Sequence, residues 1–120
     1  MNIGHASLCL NVQYIHAAFE FYTHLGFLVH EEHLHQGWAI LVHRQFYLGL
    51  FQGHISENMM NFRGGHIAHL KEWLESEAIP IEKIELVNAD GSGSFFIRDP
   101  DGNSIYFDTT PEELEQEPSI

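Results

Sequence analysis

Polar and apolar residues alternate along residues 7–11, the period of a strand with one buried face. From Ile15 the period changes. Ile15, Ala18, Phe19, Tyr22 and Leu25 recur at helical spacing and make one apolar face, and Gly26 follows where a left-handed cap would end the helix. Three further strand-like runs occupy 27–35, 38–44 and 46–52, joined by Gln36-Gly37 and by the weaker turn Arg44-Gln45. The second half repeats the scheme. A strand at 58–63 stops at Gly64-Gly65, Ile67, Leu70, Trp73, Leu74 and Ala78 give a helical face, and strands follow at 81–87, 94–98 and 104–108. The turn-forming runs 90–93 and 99–103 separate the last three.

A shift of 52 residues superposes the start of each half without a gap. Leu8 falls on Met60, Leu10 on Phe62, Ile15 on Ile67, Phe21 on Trp73, Tyr22 on Leu74 and Phe27 on Ile79. The pattern predicts two tandem βαβββ modules, at about 5–53 and 57–109, within a single domain 1–110. Phe21, Tyr22, Trp73 and Leu74 are expected in the core.

At 120 residues the chain is long enough for one real core and too short for two independent domains. No apolar run approaches a membrane span, and no basic-then-apolar leader opens the chain. The lone Cys9 rules out an internal disulfide and is expected as a buried small hydrophobe. These features suit the cytoplasm. Five Lys and Arg against 17 Asp and Glu give a formal charge of −12, which disfavours nucleic acid and would attract a cationic ligand. Residues 111–120 carry Glu112, Glu113, Glu115 and Glu117 and read as a solvated acidic tail.

Phe21-Tyr22 followed by Leu25-Gly26-Phe27, with Asp-Pro-Asp-Gly-Asn at 99–103, resembles the vicinal oxygen chelate superfamily of glyoxalases, bleomycin-resistance proteins and extradiol dioxygenases. The resemblance spans residues 7–109. It implies an α+β fold in which the tandem modules form a curled, half-open cup of mixed sheet with helices outside. It also implies a ligand in the cup and a homodimer. Metal-dependent members hold a divalent ion with His and Glu from the first and last strand of each module. Registered on the motifs, those positions fall here on Ser7, Gly49, Met59 and Tyr106, none of which suits such an ion. No metal and no cofactor is therefore expected, although His5 shares a strand face with Ser7 and leaves a displaced site open. His30, His33 and His35 crowd one hairpin, where alternation would split them between faces.

What remains for the cup is an aromatic lining with some polar groups. The expected ligand-binding residues are Ser7, Met59, Asn61 and Arg63 from the first strands, Tyr47, Gly49 and Phe51 from the fourth, Trp38 from a neighbour, and Tyr106 from the last. Gly49 would leave room for a ligand to approach the backbone. Arg63 would pair with a ligand carboxylate or with Asp108. No nucleophile–base pair stands out, so no catalytic residue is assigned. The expected function is metal-free binding of an aromatic or cationic small molecule, as in bleomycin resistance. The alternative is a glyoxalase- or dioxygenase-like enzyme with a rearranged metal site, and a third possibility is a sensor subunit whose cup is a protein interface.

Overall fold

The computed structural model describes residues 2–116. The element order is β1 (His5–Asn11), α1 (Ile15–Leu25), β2 (Leu28–His33), β3 (Trp38–His43), β4 (Phe46–Phe51), β5 (Met59–Arg63), α2 (Ile67–Ser76), β6 (Lys83–Val87), β7 (Gly93–Arg98), β8 (Ser104–Thr109) and α3 (Pro111–Gln116). The expected βαβββ order thus appears twice, in an α+β chain. Two compact units emerge, Ser7–Met59 and the residues from Met60 onward joined by those up to Ala6.

In the first unit the strand order is β2-β3-β4-β1, with β4 parallel to β1 and antiparallel to β3. Alternation sends Leu8, Leu10, Leu41, Leu48 and Leu50 to one face, where Ile15, Phe19 and Tyr22 of α1 cover them. In the second unit the order is β5-β8-β7-β6. Phe95, Ile97 and Phe107 pack beneath Ile67, Leu70 and Leu74 of α2, and Ile3 joins them. Each helix therefore hides one sheet face, and the other face of each unit carries a different set of side chains.

The structure corrects several expectations. Phe21 and Trp73, equivalent under the 52-residue repeat, are exposed on their helices and are not core. Both lie one residue short of the buried helix stripe, since Tyr22 and Leu74 are the residues that pack inward. Leu25 is exposed as well, because Gly26 (φ 130°) ends the helix before its last turn reaches the sheet. Ala78 lies beyond the end of α2 with φ 57°.

The acidic run at 111–120 does not begin as a solvated tail. The Thr110 N–H donates to Glu113 Oε1 at 2.8 Å and the Glu113 N–H donates to Thr110 Oγ1 at 3.3 Å, a capping box that starts α3 with Pro111 in its first turn. Residues 117–120 lie outside the described residues.

Burial separates the two kinds of helix-side residue experimentally. Leu41 is fully buried and Trp73 is exposed. Leu41→Ala should cost about 2–5 kcal/mol in urea melts, whereas Trp73→Ala should cost well under that. Equal losses would show that Trp73 is packed after all.

Candidate functional site

The open face of the first unit is a row of rings. His33, Trp38 and Phe51 are successive cross-strand partners on β2, β3 and β4. The His33 ring stacks on Trp38 with centroids 4.2 Å apart and planes 21° apart, and Trp38 stacks with Phe51 at 6.2 Å and 8°. His54 meets the edge of Phe51 at 6.4 Å, and its Nε2 lies 2.7 Å from the Gln36 carbonyl oxygen. Tyr47 shares this face and takes His30 edge-on at 5.2 Å. His33 is held from the other side by Glu31, 3.1 Å from its Nε2.

Placing both His30 and His33 on one face requires a break in alternation, and β2 supplies it. Its register slips between Val29 and Glu31, so that His30 follows the helix-side Val29 onto the open face beside Tyr47 and the bulge returns Glu31 and His33 to that same face. The split expected from strict alternation does not occur.

At Gly49 a side chain would run into the Phe51 ring where it lies. A Cβ there would lie 2.6 Å from Phe51 Cε2 and 3.4 Å from Ile40 Cδ1. The room expected for a ligand at Gly49 is filled by the Phe51 ring, lying flat across the strand. Cys9, the register partner of Gly49, is buried and in no disulfide.

The open face of the second unit is polar and carries charges of both signs. Asn61 is buried and its amide donates to Asp108 Oδ1 at 2.8 Å and to the Tyr106 carbonyl at 3.1 Å. Arg63 pairs with Asp108 at 3.2 Å through Nη2 and with Glu113 at 3.1 Å through Nε. Of its two expected roles, the structure realises the internal ion pair. Tyr106 stacks on Phe96 at 4.3 Å, and its hydroxyl donates to Glu85 Oε1 at 3.2 Å, an oxygen that also accepts from Ser94 Oγ at 3.0 Å. Glu85 follows the helix-side Ile84 onto this face, at a second bulge that keeps Leu86 there as well.

Burial dominates the electrostatics here. It pushes the Tyr106 phenol up to about 12, reinforced by the charges of Asp108 and Glu85 and partly offset by a hydrogen bond with Ser94. Burial also raises the Asp108 carboxyl, with Glu113 and Glu85 adding to the effect, while the Asn61 hydrogen bond and the Arg63 charge pull it back.

Comparison with solved structures shows where this architecture recurs. The NAD-dependent benzaldehyde dehydrogenase structure from Legionella pneumophila matches with a TM-score of 0.70 at 18% identity, over 87% of this chain and 97% of that one. A glyoxalase/bleomycin resistance protein/dioxygenase superfamily member from Vibrio splendidus 12B01 matches with a TM-score of 0.64 at 17% identity, over 88% and 97%. The chain has the glyoxalase/bleomycin resistance/dioxygenase fold. The methylmalonyl-CoA epimerase of Streptomyces coelicolor, solved with 2-nitronate-propionyl-CoA, has a TM-score of 0.57 at 18% identity, over 92% and 97%. No family model and no curated protein matches the chain. Identities this low establish the glyoxalase-type fold and leave the chemistry to the residues themselves.

Each position at which metal-dependent relatives would hold an ion was tested on its own surroundings. Gly49 offers no donor and lies beneath the Phe51 ring. Burial keeps the Tyr106 phenol protonated, and its hydroxyl donates a hydrogen bond to Glu85. Met59 is a buried thioether and Ser7 a neutral hydroxyl, weak ligands for a hard or borderline cation. These residues do not fit a divalent metal, and among the described residues no group of three His, Cys, Asp or Glu side chains could hold one.

Sequence reasoning missed His30, His33, His54, Glu85 and Phe96 as members of these faces. One of them, His33, depends on a bulge that no turn residue announces. The capping box Thr-x-x-Glu at 110–113, by contrast, is a readable signal for the helix that brings Glu113 to Arg63.

Because the folded chain holds the Asp108 proton more tightly than the unfolded chain, this residue's stabilising contribution is full below the ordinary carboxylate range and is lost as pH rises through its raised pKa. Asp108→Asn keeps the acceptor for Asn61 and removes the titration. Urea melts from about pH 4 to pH 7 should show wild type losing stability relative to Asp108→Asn as pH rises. A constant gap across that range would contradict the assignment.

Proposed function

We propose that this protein is a cytoplasmic, metal-free small-molecule binder of the bleomycin-resistance type, working as a homodimer and holding an aromatic or cationic compound on its open sheet faces. The observation that carries this reading is the pairing of Gly49 with Phe51. Where relatives would present a metal ligand, this chain has no side chain, and a ring stacked with Trp38 lies over the gap. The result is an aromatic platform in place of a coordination site.

Two further features support the same reading. Stacked rings offer a planar ligand a flat contact and attract cations to their faces. On the second unit, Glu85, Asp108 and Glu113 gather about Tyr106 and Arg63, a local excess of carboxylates that favours a positively charged group there, while Lys83 and Arg98 share the same face. The ligand-binding residues of this proposal are Trp38, Tyr47 and Phe51 with Ser7, Gly49 and Met59 on one set of strands, and Asn61, Arg63 and Tyr106 on the other. The fold shared with the Vibrio splendidus superfamily member is compatible with such a role. Among the described residues no helix is long and apolar enough to cross a membrane.

Protein purified without a histidine tag should carry less than about 0.1 equivalent of divalent metal by inductively coupled plasma mass spectrometry, and a near-stoichiometric metal would overturn the proposal. Benzyltrimethylammonium and 2-naphthol, titrated by calorimetry, probe the cationic and the flat neutral ligand. Trp38→Ala should weaken whichever binds by about tenfold or more, the share expected for a stacking platform. Unchanged affinity would remove Trp38 from the site.

A further inference from the structure

Four large apolar side chains in the first unit are left uncovered on the helix side of its sheet. Phe21 and Leu25 project from α1, Val29 from β2 and Phe46 from the start of β4, each between 45% and 65% exposed. Helix α1 lies over β3 and β4, so the helix-side residue of edge strand β2 stays bare. The patch is continuous through its half-buried roots. Phe21 meets Tyr22 edge-on at 5.1 Å, Tyr22 meets Phe27 at 5.8 Å, and Phe27 meets Phe46 at 6.1 Å. The backbone beneath is fixed, because the N–H groups of Gly26 and Phe27 both bond back to the Tyr22 carbonyl.

We infer that this patch is the surface on which two copies of the chain associate, an inference that rests on the homodimer proposed above. Charge argues for a second copy. The unit 7–59 holds Glu20, Glu31, Glu32 and Glu57 against Arg44, a formal −3, which leaves −9 of the −12 on the other unit. Residues 21–30 and 33–56, which supply the whole patch, contain no Asp or Glu. Two strongly acidic molecules repel each other over most of their surfaces, and this is where they approach at least cost.

Area argues the same way. The four side chains expose on the order of 400 Å² of apolar surface, the size of the largest patch on a typical monomer, which is often a functional one. Each partner in a stable dimer buries about 800 Å², with an apolar centre and a polar rim, so the patch has the size of such a centre. The rim is present in His24 at the end of α1 and in His43 and Arg44 at the β3–β4 turn. A phenyl-rich surface is self-complementary, since rings pack edge to face against rings, which suits a two-fold contact of the patch with itself.

The test is the mass of the full chain by size-exclusion chromatography with light scattering, repeated on Phe21→Lys/Leu25→Lys. Lysines near the C-terminal end of α1 agree with the helix dipole, and circular dichroism confirms that the variant folds. The milder Phe21→Ala/Leu25→Ala serves if it does not. Wild type should run as a dimer and either variant as a monomer, with the dimer dissociation constant raised at least tenfold. A dimeric wild type whose folded variants remain dimeric would overturn this surface and leave the homodimer standing. A monomeric wild type would overturn both.

Discussion

Each long helix of this chain is only ten or eleven residues and lies over one face of a four-stranded unit. A strand presents successive side chains to opposite sides, so covering one face fixes what the other must carry. Leu8, Leu41, Leu48 and Leu50 go beneath α1, and that choice sends Tyr47, Gly49 and Phe51 outward to the open side. Phe95 and Phe107 go beneath α2, which commits Phe96, Tyr106 and Asp108 to the open side of the second unit. The burial of the leucines and phenylalanines thus determines the functional faces without touching them.

The two bulges are the points at which this constraint is released. Strict alternation after Val29 would send Glu31 and His33 to the helix side, and after Ile84 it would send Leu86 there. The slips at Val29/Glu31 and Ile84/Leu86 keep these residues on the open face, beside His30 against Tyr47 and Glu85 against Tyr106. A bulge loosens an edge strand, where the ladder has only one neighbour to lose. The first bulge thereby adds His33 to the row of rings where irregularity is least costly.

Much of the architecture was legible in the sequence, because period two and period 3.6 follow directly from burial on one side. The repeat, the element order and the inward leucines all follow from that rule. It failed in two ways. Phe21 and Trp73 look like core residues by composition, yet they sit beside the helix stripe, and helical spacing alone does not separate a stripe residue from its neighbour. The open faces were only partly legible, since Trp38, Tyr47, Phe51 and Tyr106 obey alternation while the bulges keep both His30 and His33 on one face, and both Glu85 and Leu86 on the other. Arg63 had two readings, and the capping box at Thr110 decided between them by bringing Glu113 within 3.1 Å.

Gly49 and Phe51 are locked to one another through a single volume. The ring occupies the space that a Cβ at position 49 would need, so a side chain cannot return there while the ring lies flat. Replacing Gly49 first meets a steric barrier; shrinking Phe51 first empties the gap and breaks the stack with Trp38. The two positions form a ratchet, in which a return to a donor at 49 has to pass through a chain that has neither platform nor ligand.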